Sequence, residues 1–207
     1  MQITITSKFS NYKLIFTAAS LIGLLLIATP LLSNIIHLQE REKFSELYLL
    51  GPEKMAQNLP FNITPNQTYT TYLGVGNHMG ETTYYTCKIK LRNQTENPPD
   101  SSTQTPSSLP TLYEYNFIIP NGENHTEPLT FSTTTTPPTK NITTLKTLTL
   151  NDINYNIDKT AQYDPDNKGY YYQLFIELWA YNPTTQTTQY QNRWVYLWLN
   201  TTTTTNP

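Results

Sequence analysis

Six residues, "DPDNKG" from Asp164 to Gly169, come closest to metal chemistry: Asp164 and Asp166 alternate, and Gly169 holds the sixth position of a calcium loop. Lys168 stands where an acidic or amide ligand belongs, and the twelfth position is Phe175 rather than glutamate. A tight turn accounts for Pro165, Asn167 and Gly169 without a cation, so the two aspartates read as turn residues. "LGVGNHMG" places Gly74 and Gly76 after a strand, as a dinucleotide fingerprint would. Its third glycine is Gly80, one place late, and no helical pattern follows, so these read as turn and bulge glycines. His78 has no serine or cysteine arrangement with an acid partner around it, and His37, His78 and His125 are too scattered for a zinc site. Cys87, the only cysteine, shares a strand face with Tyr85, Ile89 and Leu91, the setting of a buried structural thiol. No catalytic residue, metal or cofactor is expected, and the protein reads as a non-enzyme.

Asparagine offers another chemistry. Asn62, Asn66, Asn93, Asn124, Asn141 and Asn200 each open an N-x-[ST] triplet, the acceptor pattern for N-glycosylation. Pro65 directly follows the Asn62 triplet and weighs against it. All six lie downstream of the uncharged run Leu14 to Ile36, whose 23 residues would span roughly 34 Å as a helix, enough for a bilayer. Leu14 to Ala28 also has the length of a signal-peptide core, but the apolar run continues past any small-residue cleavage site, so an uncleaved anchor is expected. Basic residues are nearly balanced across the span. The sequons set the orientation: N-terminus in the cytoplasm, body outside, at the cell membrane.

The elements that must carry these residues are strands. Charge is sparse at 14% with a net of −2, which argues against a nucleic-acid partner, and threonine fills the gap. The chain divides into a cytoplasmic tail (1–13), a transmembrane helix (14–36), a stalk (37–43), a β domain (44–200) and a tail (201–207). Within the domain, "FSELYLLG", "QTYTTYLGVGN", "TTYYTCKIKL", "PTLYEYNFII", "EPLTFS", "TTLKTLTL", "DINYNI", "GYYYQLFIELWAY" and "RWVYLWLN" read as short strands with no alternating helices. The expected fold is all-β, an antiparallel immunoglobulin-like β-sandwich behind one N-terminal transmembrane helix. Two polar, proline-rich stretches, 93–110 and 132–140, read as mobile loops that bury nothing.

The last two strands raise a question of cover. Tyr170, Tyr172, Leu174, Ile176 and Leu178 make one apolar face, with Val195, Leu197 and Leu199 beside them, leaving Trp179, Trp194, Tyr196 and Trp198 on the other. That aromatic row is either a stacking platform for a sugar or partner, or is covered by the 93–110 loop or the segment after the anchor. Cover by the same chain is the expectation.

"FSELYLLGPEKMAQNLP", "LGVGNHMGETTYYTCKIKL", "LFIELW" and "RWVYLWLN" together resemble the C-terminal domain of the mainly archaeal membrane-protein family catalogued as domain of unknown function 1616. Phe44, Glu46, Tyr48, Leu50 and Gly51 match its opening strand with a shift of one residue, and Asn77 and His78 match its hairpin. Arg193, Leu197, Trp198 and Asn200 match its closing strand, with Tyr196 in place of a histidine. The resemblance covers about residues 44 to 200 and implies no catalytic residue. The expected role is a structural or binding module of the cell envelope, with the bilayer as partner through 14–36 and an envelope protein or glycan as the other. The alternatives are a carbohydrate-binding accessory to surface glycan synthesis and a pilin-like filament subunit, although "NYKLIF" lacks the processing site of the latter.

Overall fold

Apolar side chains without a charge for 18 residues favour a helix, and apolar side chains at every second position favour strands. The computed structural model describes residues 6–35 and 42–201, with side chains from Tyr12 to Thr29 inside the first element. His37, most of the expected stalk and the tail beyond Thr201 lie outside the described residues.

Helix α1 runs from Thr6 to Ile35, so it begins eight residues before the expected span and takes in Lys8 and Lys13. Its stretch Tyr12–Thr29, with a mean hydropathy of 1.8, is long and apolar enough to cross a membrane. The hydroxyls of Thr17 and Thr29 donate back to the carbonyls of Lys13 and Leu25 at 2.8 and 3.1 Å, which satisfies polar groups that an apolar medium would penalise. The chain divides after Glu42 into this helical unit and a β domain.

Among the described residues the β domain has nine strands: β1 (Phe44–Leu50), β2 (Tyr69–His78), β3 (Thr83–Asn93), β4 (Tyr113–Ile119), β5 (Asn124–Thr135), β6 (Ile142–Leu150), β7 (Ile153–Asp164), β8 (Gly169–Asn182) and β9 (Thr187–Asn200). Each falls on a stretch whose alternation predicts it. All ladders between them are antiparallel. One sheet has the order β1-β2-β5-β6-β7 and the other β4-β3-β8-β9, joined where Tyr163 pairs with Tyr170 and Asp164 with Gly169. Strand β5 continues to Thr135, pairing Thr133 with Leu148 and Thr134 with Thr147, so the first residues of the expected 132–140 loop are strand instead. Threonine's β-branched side chain suits that position.

Both sheets turn their apolar faces to one core, which takes Leu73, Val75, Leu129, Phe131, Leu145 and Leu148 from the first and Cys87, Ile89, Leu174, Ile176, Leu178 and Leu197 from the second. Three buried tyrosines of the second sheet carry hydroxyls across to the first. Tyr85 meets the Ser45 hydroxyl at 2.7 Å, Tyr115 donates to the Pro128 carbonyl at 2.6 Å, and Tyr172 donates to the Lys159 carbonyl at 3.0 Å. Each ring adds apolar burial worth roughly 2 to 3 kcal/mol while its polar end stays bonded.

Gly74 and Gly76 serve neither a turn nor a bulge. They lie inside β2 opposite Tyr48 and Glu46 of β1, and a Cβ at residue 74 would sit 2.0 Å from the Tyr48 ring. The glycine makes room for an aromatic lying flat across the ladder. Gly80, with φ of +86°, is the turn glycine expected.

Candidate functional site: the outer face of the second sheet

Strand β8 is buried on both faces because it is central in its sheet and covered from both sides. Its outward side chains form rows with those of its neighbours. The register sets Arg92 beside Gln173 and Trp198, Lys90 beside Phe175 and Tyr196, and Lys88 beside Glu177 and Trp194. Diagonal neighbours also meet, the Lys90 ammonium 3.0 Å from Glu177 and the Lys88 ammonium 4.1 Å from the Trp179 ring centre, and along its own row the Arg92 guanidinium lies 5.0 Å from the ring centre of Trp198. Three cations at alternate positions of "KIKLR" thus dress the face that the aromatic residues build.

The segment 93–110 crosses this face as a strap. This corrects the expectation that it buries nothing. Pro99 and Ser107 are buried, and Ser107 clamps the ion pair: its amide donates to Glu177 Oε1 at 2.7 Å and its carbonyl accepts from Lys90 Nζ at 2.6 Å. The Trp179 indole donates to Glu177 Oε2 at 3.2 Å. The tip of the strap is closed by reciprocal amide–carbonyl bonds between Asp100 and Thr105, each 2.9 Å. Hydrogen bonds from Ser102 and Thr103 lower the Asp100 carboxyl to about 2. Beyond the tip, the Ser101 hydroxyl accepts from the Trp194 indole at 3.3 Å. Sequence reasoning missed Lys90, Arg92 and Ser107. The alternate basic residues of β3, in phase with Glu177, were the available signal.

Cover is therefore uneven. Phe175 and Glu177 are fully enclosed, whereas Trp179, Trp194 and Trp198 are half-buried and Tyr196 is 48% exposed. Among the described residues the β8 side of this face is the better enclosed, contrary to full cover. Among those residues the β9 side is half covered, with Tyr196 its most open aromatic.

At one end of this face a pocket of about 310 Å³ is lined by Phe61, Gln94, Asp164, Asn167, Tyr171 and Trp198. Phe61 comes from the β1–β2 connection, held against the end of β9 by two backbone bonds, Ile63 to Asn200 at 2.9 Å and Asn200 to Phe61 at 2.7 Å. Asp164 closes the turn expected of it. Its Oδ1 accepts the amides of Asp166 and Asn167 at 3.0 and 3.1 Å, and its Oδ2 accepts the Asn167 side chain at 2.8 Å. Those bonds hold its carboxyl below the usual range. Among the described residues no three His, Cys, Asp or Glu side chains gather as metal ligands. His78 is far from the pocket, stacked on Phe44 at 4.6 Å with Glu46 at 3.6 Å. Cys87 is fully buried, and burial pushes its thiol up to about 12.

The sequon asparagines separate into two groups. Asn62, Asn66, Asn124 and Asn141 are exposed. Asn93 is half-buried, with its amide nitrogen donating to the Thr160 carbonyl at 3.0 Å and its oxygen accepting from Thr95 and Glu96. Asn200 donates to Asn62 at 2.9 Å beside the pocket.

A family model described as "Domain of unknown function (DUF1616)" matches residues 38–148, from before β1 into β6. Curated proteins give no match. Among solved structures the chain is similar to a β-glucosidase from Listeria innocua in complex with glucose, at 9% identity and a TM-score of 0.37 over 76% of this chain and 16% of that one. It is also similar to a chain in the human seminal plasma complex of Zinc 2-glycoprotein and Prolactin inducible protein, at 8% identity and 0.37 over 79% and 98%. Likenesses this distant say nothing of ligand or activity.

Proposed function

The chain belongs to the DUF1616 family, and on that premise we propose that it is a membrane-anchored module whose β domain lies outside the cytoplasm and binds a component of the cell envelope without transforming it. The observation that carries this reading is the half-open aromatic row Trp179, Trp194, Tyr196 and Trp198, mounted on a sheet that a buried ion pair and a strap hold rigid. Exposed aromatics on a rigid support are what recognition surfaces use, because little side-chain freedom is lost on binding. Glu177, at the centre of the face, is engaged by Lys90, Ser107 and Trp179, which suits support rather than proton transfer.

The apolar stretch of α1 supports anchoring, and the four exposed sequon asparagines after it support an extracytoplasmic body. The order β1-β2-β5 in one sheet and β4-β3-β8-β9 in the other supports an immunoglobulin-like reading of that body.

The test has two arms. Protease added to intact cells is expected to remove the β domain, and protection until the membrane is permeabilised would reverse the topology. The full-length chain in detergent is expected to sediment with purified envelope, and Tyr196→Ala to lose most of that retention with its thermal midpoint lowered by no more than a few degrees. Undiminished retention would remove the aromatic row as the binding surface.

A further inference from the structure

The pocket at the end of the aromatic row has a composition of its own. Its volume of about 310 Å³ is at the small end of the roughly 300 to 1,000 Å³ usual for small-ligand sites. Phe61 is 48% exposed and Trp198 half-buried, with Tyr171 between them at 6.1 Å from the first ring and 6.4 Å, edge-on, from the second. The polar lining is Gln94, Asp164 and Asn167.

The donors of that lining are partly spent. Asn167 gives its side-chain NH to Asp164, and Gln94 gives its own to the Gln162 carbonyl at 3.3 Å. The Tyr171 hydroxyl donates to the Asn167 carbonyl. What remains is a second N–H on each side-chain amide and a larger set of acceptors: the two amide oxygens and the unfilled lone pairs of the Asp164 carboxylate, which has roughly four acceptor positions and receives three bonds from the turn. A rim dominated by acceptors, with the Asp164 carboxylate in it, disfavours phosphates and carboxylates by like charge and suits a ligand rich in O–H groups, each of which both donates and accepts. Aromatic rings beside such a rim suit a ligand whose other faces are C–H. Arg92, stacked on the Trp198 ring, sets a positive charge beside the pocket and counts against a quaternary ammonium.

We propose that this pocket binds a neutral pyranose unit of a glycan, with Phe61 and Trp198 against its C–H face and Gln94, Asp164 and Asn167 accepting from its hydroxyls. The inference rests on the envelope-binding reading and names the ligand class for it. The walls are set in advance: Phe61 by the two backbone bonds to Asn200, Asp164 by its turn and Tyr171 by its hydroxyl. Such preorganisation reduces the ordering cost of binding.

The test titrates the full-length chain, in a detergent without a sugar headgroup, with methyl hexosides of gluco, galacto and manno configuration, reading tryptophan fluorescence and saturation transfer. Tetramethylammonium and inorganic phosphate are titrated in parallel. Saturable binding of at least one hexoside is expected, weakened about tenfold or more by Phe61→Ala and by Gln94→Ala at an unchanged thermal midpoint. Tighter binding of tetramethylammonium or phosphate than of any hexoside would overturn the ligand class. Hexoside binding that survives both variants but disappears in Tyr196→Ala would overturn the location. If no hexoside binds while the chain still sediments with envelope, the glycan inference fails and the envelope-binding reading stands. Loss of envelope retention by the unaltered chain fails the reading itself.

Discussion

Lys90 and Glu177 lie 3.0 Å apart with side chains 5% and 0% exposed, and both bond the backbone of one residue, Ser107, on the strap above them. Two ions removed from water are tolerated only when their remaining hydrogen-bond positions are filled, and here Ser107 and the Trp179 indole fill them.

Breaking this pair from one side should therefore be costly. Lys90→Met is expected to destabilise the domain by roughly 3 to 5 kcal/mol, because Glu177 would be left buried and charged. The double variant Lys90→Met with Glu177→Leu should recover most of that loss, and denaturant titrations of the singles and the double measure the coupling. Proteolysis within 93–110 should quicken in the single variant, where the strap loses its clamp. A double variant as unstable as the sum of the singles would show that the two residues do not act as a pair.

The buried acids predict an alkaline limit. Cys87, Tyr115, Tyr172 and Tyr190 are pushed up to about 12, chiefly by burial. The unfolded chain ionises its thiol and phenols near their ordinary values of 9.0 and 10.0, so above that range it binds fewer protons than the folded chain and stability falls as pH rises. The stabilisation is complete below about pH 9 and is lost progressively toward pH 12. Thermal midpoints measured across that window should decline steadily, and a flat profile would show these groups to be solvated.

The tryptophans should differ in what their removal costs. Trp198→Ala, which strips a ring from Arg92 and Tyr171, is expected to lose on the order of 3 kcal/mol, and Trp194→Ala about 1 to 2. Tyr196→Ala, at the exposed end of the row, should cost less than about 1 kcal/mol. Chemical denaturation of each variant ranks them.

Glycosylation should follow exposure. In a host that modifies N-x-[ST], peptide mapping is expected to find glycan on Asn66, Asn124 and Asn141 and none on Asn93, whose amide nitrogen is bonded to Thr160. Full occupancy of Asn93 on folded protein would contradict the bonding of that residue.

The strands were legible because alternation is local: each of the nine could be read within its own stretch of sequence, and the aromatic residues on the second face of the last strand already raised the question of its cover. The strap was not legible, because its polar composition suggests solvation and its order comes from contacts made 70 residues away, between Ser107 and Glu177. The pocket was less legible still. Phe61 reaches it through a pairing of Asn62 with Asn200, 138 residues apart, which no period in the sequence encodes. The aspartate turn showed the reverse case, since Asp164, Asn167 and Gly169 are neighbours and their chemistry is sufficient on its own.

The seven residue pairs of β1 with β2, from Phe44 opposite His78 to Leu50 opposite Tyr72, also decide how the domain bears force. The chain enters β1 at Phe44, while Trp198 lies toward the opposite end of the strands, where Leu50, Tyr69 and Asn200 are found. A pull between those two ends runs along the strands, so the β1–β2 ladder is loaded in shear, with all its hydrogen bonds strained together instead of one after another. Rupture under load is a matter of unfolding rate rather than equilibrium stability. A tether attached at Phe44 therefore grips the domain through the geometry that yields most slowly.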